Sequence, residues 1–469
     1  MRMKIPLLLV ALSGLAAPLH AADNTPAIPP SGVIGVTDAQ LSPEFWIGRA
    51  SAPDEVLMTK AAIAAQNAKV LHRDTSMYDI ASLPSKLGAE QVKGWITRLS
   101  KRPDDPLHDV HGQEVPASDL DAWDRNLALD AVPPSQPTRY GLIVRRADLR
   151  TFPTTTRVFD EPGDTDIDRF QESGIFPGTP VVIAHQSRDG QWLFVVSPRY
   201  AAWVKRDAVA AGSKEDVFGY VDRKPYRVVT GAHVQTVFTP EQPRVSQLEL
   251  NMGVRVPLAQ GLPPDQPVNG QTAYTSYTIE LPVRNDDGSL KTVPALLQRN
   301  ADSAADYLPL TRADIIRQAF KFLGERYGWG HAYDGRDCSG FVSDVYRSMG
   351  VLMPRNTRDQ SVSPGLDHVA FDDNSSHDDR MRAVAGLDVG DLVYIPGHVM
   401  MVIGKLGGKP YVIHDTGGMS YYGADGSRHR VKLNAVSVTP LEPLMFDDKQ
   451  SYIDRMTSIV HVHPRKTAQ

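Results

Sequence analysis

Apolar residues recur at helical spacing in the first part of the chain. Residues 55–70 form one such stretch, and Pro53 just before it suits the start of a helix. A second stretch, residues 87–101, has apolar side chains on one helical face at Val92, Trp95, Ile96 and Leu99. A proline-containing connector, residues 129–137, follows. The pattern predicts a small, mainly helical N-terminal domain over residues 22–135.

From residue 139 the pattern changes to the alternation that is typical of short β-strands. The strand-like stretches are residues 140–144, 181–185 and 192–197. The sequence Arg188-Asp189-Gly190 between the last two fits a tight hairpin turn. Short strands with frequent turns predict a small β-barrel over residues 136–212.

A second β-rich segment follows the first. Its strand-like stretches are residues 228–229, 234–238, 254–258 and 274–281. Asp287-Gly288 supplies a further turn signal. Residues 213–300 are therefore predicted to form a second small barrel, although the two segments share no obvious repeat. Nothing in either barrel selects a ligand over a purely positioning role.

The last part of the chain combines a helix start with a run of strands. Thr311, with Asp314 three residues later, predicts an N-terminal helix cap, and Gly324 suits the end of that helix. Strand-like stretches follow at residues 391–395, 399–403 and 411–414. Helices followed by a sheet predict an α+β domain over residues 301–469.

The chain begins with the features of a secretory signal peptide. Arg2 and Lys4 precede an apolar run over residues 5–15, and small residues continue to Ala21 and Ala22. A membrane anchor is the alternative, but it needs about 20 apolar residues, and Pro18 and His20 interrupt this run. We expect residues 1–21 to be removed and the protein to be exported, more to the periplasm than to the medium.

Net charge changes this picture little, whereas the cysteine count changes it considerably. The formal net charge is −5 with no basic run, which gives no indication of nucleic-acid binding. Cys338 is the single cysteine, so no internal disulfide is possible in a compartment that favours paired cysteines. Cys338 is therefore either an inert buried thiol or a reactive one.

The residues around Cys338 favour the reactive alternative. An apolar helical face begins just after it, at Phe341, Val342, Val345, Tyr346 and Met349. The helix should therefore begin at Asp337 or Cys338, with Asp337 available as the N-cap. The free N–H groups and the positive end of the helix dipole favour the thiolate there. They could also stabilise the oxyanion of an attacked carbonyl.

Two histidines supply a base and a group to orient it. His398 begins one predicted strand and His414 ends the next, with a glycine-rich turn over residues 406–410 between them. A symmetric hairpin centred on Leu406 would place the two imidazoles directly opposite each other and in hydrogen-bonding reach. Asp415 is a rival orienting group, but strand alternation directs it away from His414.

The stretch YGWGHAYDGRDCSGF, residues 327–341, resembles the NlpC family of papain-like cysteine peptidases, which cut bacterial cell-wall peptides. The resemblance implies that Cys338 is the nucleophile, His398 the general base and acid, and His414 the orienting residue. It also implies that Asp337 and Ser339 help to hold the amino end of a stem peptide and that Tyr327 and Trp329 line the pocket. Helix capping by Asp337 and core packing by Trp329 are open alternatives.

The resemblance extends, with weaker motifs, to the rest of the chain. The pieces LRTFPT, Asp-Gly-Gln-Trp and Trp203-Val204 resemble a bacterial SH3-like domain. The order of helical cap, two SH3-like units and α+β papain-like peptidase domain resembles multi-domain members of the family. One departure is His331, where the family often has a second glycine; it either alters the rim of the pocket or lies in solvent.

These resemblances imply an exported endopeptidase of peptidoglycan stem peptides that acts through a thioester and needs no cofactor or metal. Relatives of this type cut the γ-D-glutamyl to diamino-acid bond, often of fragments with a free L-Ala, which implies a role in wall turnover or recycling. The alternatives are a muramoyl-L-alanine amidase or acyltransferase with the same triad, and a non-catalytic wall-binding protein. A zinc site formed by Cys338, His398 and His414 is a further one.

Overall fold

The computed structural model of the protein describes residues 33–263 and 265–463; the predicted signal peptide, residues 1–21, lies outside them. The front section contains four α-helices, Pro43–Ile47 (α1), Lys60–Arg73 (α2), Ala89–Leu99 (α3) and Ala117–Asn126 (α4), and the paired strands Lys86–Gly88 (β1) and Ser135–Pro137 (β2). The helix predicted to start at residue 55 begins five residues later. The reason is local, because the Thr59 hydroxyl accepts a hydrogen bond from the Ala62 amide (3.2 Å) and caps α2.

The first predicted barrel is a seven-stranded antiparallel sheet. Its strands are Arg139–Ile143 (β3), Ala147–Arg150 (β4), Gln171–Ile175 (β5), Pro180–Gln186 (β6), Trp192–Val196 (β7), Ala201–Lys205 (β8) and Val209–Gly212 (β9), in the order β5-β4-β8-β7-β6-β3-β9. The predicted turn between β6 and β7 is present, with Gly190 at a φ of +70° that favours glycine. β5 lies at the edge of this sheet, the position from which it reaches the C-terminal part of the chain.

The second predicted barrel follows a short helix, Lys214–Asp222 (α5). Its strands are Tyr226–Val229 (β10), His233–Gln235 (β11), Glu249–Asn251 (β12), Arg255–Pro257 (β13), Ser276–Arg284 (β14), Leu290–Gln298 (β15) and Ser303–Ala304 (β16). They form the sheets β13-β10-β16, β11-β12 and β14-β15, which enclose one apolar core. The segment is thus β-rich, as predicted, but divided among three small sheets.

The C-terminal part is an α+β arrangement, as predicted from the order of its elements. Its helices are Arg312–Phe320 (α6), Cys338–Arg347 (α7), Thr357–Ser361 (α8) and His377–Ala385 (α9). Its strands are Asp367–Ala370 (β17), Leu392–Ile395 (β18), His398–Leu406 (β19), Lys409–Tyr422 (β20), Arg428–Pro440 (β21) and Ser458–His461 (β22), in the order β17-β22-β18-β19-β20-β21. α7 packs across β19 and β20.

The buried residues of the front section belong to two different cores. Trp46 and Val70 pack in the core that contains α6 and α7. Val92 and Ile96 pack instead with Trp203 in the core of the first barrel. A separate helical domain would have a core of its own, so the predicted N-terminal cap is not confirmed as an independent unit. Within residues 33–263 and 265–463, no helix is long and apolar enough to cross a membrane.

Candidate active site

Cys338 is the first residue of α7, and the predicted cap is present. The Asp337 carboxylate accepts a hydrogen bond from the Gly340 amide (2.8 Å) at the first turn of the helix. Gly340 is required by its surroundings, since a Cβ at this position would lie 2.4 Å from the His331 ring. The thiol is therefore held at a capped helix N-terminus, where backbone N–H groups face the site.

The Cys338 thiol is 5% exposed and lies beside the start of β19. Its Sγ is 3.7 Å from the Thr357 hydroxyl and 4.0 Å from the Gly397 carbonyl oxygen. Burial, with a contribution from the Asp337 carboxylate, raises the pKa of Cys338 to about 12. Burial therefore opposes the thiolate that the helix N-terminus was expected to favour. The thiol needs a base.

His398 and His414 are in direct contact. His398 Nε2 lies 2.7 Å from His414 Nδ1, and His414 Nε2 lies 3.0 Å from the Thr439 hydroxyl. Burial lowers the pKa of His398 to about 4 and that of His414 well below its usual value, so both rings are neutral at neutral pH. If His398 Nε2 donates to His414 and His414 donates to Thr439, Nδ1 of His398 is left unprotonated and can accept a proton.

The contact arises from a register different from the predicted one. The β19–β20 hairpin turns at Gly407-Gly408 instead of at Leu406, and a β-bulge lies between Val402 and Gly404. Extending the observed register would place His414 opposite Met400, two residues from His398. A displacement of two residues keeps both side chains on one face, so the rings meet diagonally rather than face to face.

Among the described residues, the thiol lies beside the backbone on either side of His398 but is not hydrogen bonded to the imidazole pair. Sγ is hydrogen bonded to Thr357 and to the backbone at Gly397 and Val399. The backbone contacts place Sγ at the base of the His398 side chain. Catalytic hydrogen bonds are often incomplete before substrate binds.

Asp337 and Ser339 are held by a buried arginine. Arg355 donates to both carboxylate oxygens of Asp337 (2.8 and 3.2 Å) and to the Ser339 hydroxyl (2.9 Å). Its Nε also donates to Ser173 on β5 (2.6 Å), which ties the first barrel to the site. Burial opposes ionisation of Asp337, but the charge of Arg355 lowers its pKa below the usual range. These contacts support the capping role of Asp337.

His331 is buried, so of its two expected placements, at the rim of the pocket or in solvent, the one in solvent is wrong. It is 3% exposed, has a φ of +64°, and accepts a hydrogen bond from Arg355 at Nδ1 (3.0 Å). Its ring stands edge-on to Phe176 of the first barrel, with centroids 5.6 Å apart. Arg146, from the β3–β4 corner, donates to the His331 carbonyl (2.9 Å). His331 therefore joins the barrel to the loop before Cys338.

The two aromatic candidates are placed differently. The Tyr327 phenol is affected by the thiol and carboxylates of the site: burial, followed by Cys338 and Asp337, raises its pKa. Trp329 opens the 3-10 segment Trp329–Asp334, in which several residues have left-handed backbone angles. Tyr327 thus lies at the site, and Trp329 shapes the loop that leads to it.

Asp415 lies on the other face of β20 from His414. Ile413 packs in the core shared with Cys338, whereas Val412 packs in the core on the opposite side. Alternation therefore directs Asp415 and His414 to opposite faces of β20. Asp415 is fully buried, and among the described residues neither of its carboxylate oxygens has a hydrogen-bond partner. Burial together with nearby carboxylates raises its pKa well above the usual value.

The described residues of the site show no set of ligands for a metal ion. Both ring nitrogens of His414 are occupied by hydrogen bonds to His398 and Thr439. In the part of the chain that the structure describes, no group of three histidine, cysteine or acidic side chains is placed to hold a metal. The geometry gives the zinc alternative no support.

Sequence reasoning missed Thr439 and assigned no role to Arg355. Thr439 lies 25 residues after His414 on β21, and a threonine in a strand carries no signal of its own. Arg355 becomes significant only through contacts with α7 and β5, which no local pattern shows.

Two parts of the chain match known families. Residues 324–437 match the NlpC/P60 family, and residues 157–205 match the SH3 domain of the SH3b1 type. The resemblances noted at residues 327–341 and in the first barrel are thereby confirmed. No curated protein matches the chain significantly.

Solved structures show a similar fold. An NlpC/P60 endopeptidase from Photobacterium damselae subsp. piscicida has a TM-score of 0.70 at 15% identity, over 90% of this chain and 97% of that one. An NlpC/P60 family protein from Bacillus cereus ATCC 10987 has a TM-score of 0.46 at 20% identity, over 69% of this chain and 100% of that one. The peptidoglycan hydrolase RipB from Mycobacterium tuberculosis has a TM-score of 0.21 at 23% identity, over 33% and 65%. Of these, the first describes a fold shared across nearly the whole chain.

Proposed function

We propose that this chain, which carries an NlpC/P60 domain and an SH3 domain, is an exported cysteine endopeptidase of peptidoglycan stem peptides. The bond cut is the one between the γ-carboxyl of D-glutamate and the diamino acid, for turnover or recycling of the wall. One observation carries the proposal: a buried thiol at a helix N-terminus lies beside the start of β19, where His398 is hydrogen bonded to His414 of β20.

In this proposal His398 is the general base. The thiol turns from Thr357 towards His398, Nδ1 takes its proton, and Sγ attacks the γ-carbonyl carbon. Backbone N–H groups at the first turn of α7 stabilise the oxyanion. Protonated His398 then gives its proton to the leaving amine as the carbon–nitrogen bond breaks, and a thioester remains.

Water completes the cycle. His398 removes a proton from water, which attacks the thioester carbon, and the carbon–sulfur bond breaks. The thiol regains a proton from His398 and the D-glutamyl γ-carboxylate leaves. His414 stabilises the imidazolium in both steps by accepting from its Nε2–H, while Thr439 keeps His414 in the tautomer that can accept. Tyr327 and Ser339 border the substrate in this scheme.

The test is digestion of defined muropeptides by the wild type and by Cys338→Ala, followed by mass spectrometry. Wild type should release fragments ending at L-Ala-γ-D-Glu, and Cys338→Ala should release none. Release of the intact stem peptide would identify an amidase instead. Normal wall binding by Cys338→Ala, with no fragments from wild type, would identify a binding protein.

Two further measurements address the nucleophile and the location. Activity should survive a chelator and be lost to iodoacetamide; the reverse result would contradict a thiol mechanism. Fractionation of cells that make the full chain should find a form lacking residues 1–21 in the periplasm. A full-length product retained in the cytoplasm would contradict export.

A further inference from the structure

A cavity lies where the front section, the first barrel and α8 meet. Its volume is about 360 Å³. It is lined by residues of all three parts, among them Ser76, Tyr78, Trp95, Tyr200, Asn356 and Asp359. The front section is fixed at this place, since the Tyr78 amide donates to the Pro198 carbonyl of the barrel (2.9 Å). The cavity is therefore formed only when the three parts are assembled.

The lining combines aromatic faces with polar groups. Tyr78 and Trp95 are half-buried and stand edge-to-face, with ring centroids 6.4 Å apart. Arg98 and Arg199 add cationic groups, and Asn356 adds an amide. A pyranose ring has apolar C–H faces and a rim of hydroxyl and acetamido groups, so it needs both kinds of surface. An amino sugar suits this cavity in size and chemistry.

The cavity is close to the nucleophile. Asn356 lines it and is the N-cap of α8, and the next residue is Thr357, whose hydroxyl is 3.7 Å from Cys338 Sγ. In a stem peptide cut after D-glutamate, two residues separate the scissile carbonyl from the sugar. Two extended residues span roughly 7 Å, so the sugar of such a substrate lies within a short distance of the scissile bond, as a site next to Thr357 requires.

We propose that this cavity binds the N-acetylmuramoyl sugar that carries the stem peptide, so that the preferred substrate is a glycosylated muropeptide rather than a peptide with a free L-Ala. The inference rests on the proposed function and adds the substrate class to it. Trp95 stacks on the sugar ring, and the polar side chains bind its rim.

The experiment compares two substrates that share one scissile bond. They are the disaccharide-linked tripeptide and the same tripeptide with a free L-Ala amine, and the quantity measured is the ratio of their kcat/KM values. Wild type should prefer the glycosylated substrate at least tenfold. Trp95→Ala should reduce that ratio roughly tenfold, as loss of one stacking contact of ordinary strength would.

Two further variants control for instability of Trp95→Ala and for the general effect of removing a tryptophan. Thr75→Trp places an indole at an exposed lining position, so it should exclude the sugar and reduce the ratio even if Trp95→Ala is unstable. Trp123→Ala removes another half-buried tryptophan of the front section, away from the cavity, and should leave the ratio as in wild type.

The outcomes separate this inference from the proposed function. A wild type that cleaves the free tripeptide as well as or better than the glycosylated one overturns the sugar site but not the endopeptidase. If neither Trp95→Ala nor Thr75→Trp changes the ratio of the two kcat/KM values, the sugar site is likewise overturned and the endopeptidase is not. Cleavage of neither substrate overturns both. Intact wall as a third substrate shows whether the sugar is accepted within a glycan strand or only in released fragments.

Discussion

At the scale of single residues, the nucleophile and the base of the proposed mechanism are buried groups that are neutral at rest. Burial raises the pKa of Cys338 to about 12 and lowers that of His398 to about 4. A thiolate–imidazolium pair is therefore not the resting state of this conformation. In the proposed mechanism the proton moves when substrate arrives, and the general base supplies the gain in nucleophilicity.

The first prediction is the pH dependence of cleavage. The pKa of His398 is lowered to about 4, so the ring is neutral, and able to accept a proton, at every pH above that value. We expect kcat/KM to be nearly constant from about pH 5 to 8 and to fall as the pH decreases through about 4. An acid limb near the ordinary histidine pKa of about 6.5 would contradict this account.

The second prediction concerns Thr439, which lies outside any sequence motif. Thr439→Val removes the acceptor for His414 Nε2–H while it keeps the side-chain volume. His414 can then adopt the tautomer that does not accept from His398, and kcat should fall roughly tenfold to a hundredfold, as for other supporting hydrogen bonds in active sites.

The control is Thr439→Ser, which retains the hydroxyl and should retain most of the activity. KM should change little in both variants, because the side chain at position 439 does not contact the substrate in the proposed scheme. Equal losses in Thr439→Val and Thr439→Ser would indicate a packing effect and contradict the hydrogen-bond role.

At the scale of elements, the hairpin that carries the histidines shows what a pattern can predict. Two apolar strands and a glycine-rich turn were sufficient to predict the pairing of His398 with His414. The turn position and the bulge at residues 402–404 were not predictable, because several glycines permit more than one turn. The observed register differs from the predicted one by two residues, an even number, so His398 and His414 still lie on the same face of the sheet. The predicted contact between them is therefore present although the predicted register is wrong.

The third prediction concerns the start of α7. Asp337 caps the helix and pairs with the buried Arg355. Asp337→Ala would leave Arg355 buried without its partner, at a cost of about 3–5 kcal/mol in the free energy of unfolding, measured by urea denaturation. Asp337→Asn keeps the cap acceptor but not the charge, so it should lie between Asp337→Ala and wild type. A loss near 1 kcal/mol in Asp337→Ala, the value of a cap alone, would show that the ion pair contributes little.

At the scale of the whole molecule, the sequence predicted the kinds of units but not their packing. Helical periodicity identifies the face that Val92 and Ile96 bury, but not the surface that covers it. Val92 and Ile96 pack with the first barrel, whereas Trp46 and Ile63 pack in the core around α6 and α7. For the same reason His331 could not be placed, since its burial depends on β5 and Arg355 from other parts of the chain.

The shared core leads to the last prediction, that the C-terminal part does not fold independently. A fragment of residues 301–469 lacks Trp46, Ile63 and Val70, which are at most 5% exposed in the core around α6 and α7. It also loses the ties from Arg146 to the loop before Cys338 and from Arg355 to Ser173. Removing a large buried side chain costs about 2–5 kcal/mol, so the loss of these three side chains is comparable to the free energy of unfolding of a typical domain, about 5–15 kcal/mol.

We therefore expect the fragment of residues 301–469 to show no cooperative thermal transition and no cleavage, whereas residues 33–469 show both. Circular dichroism and muropeptide digestion measure these two properties. Trp46→Ala within residues 33–469 is a milder perturbation of the same core. We expect a lower melting temperature with residual activity, because one cavity weakens the core without removing the contacts of Arg146 and Ser173. A cooperatively folded and active fragment would show instead that the front section and barrels serve substrate binding alone, and the core that joins them to α6 and α7 would then be dispensable for folding.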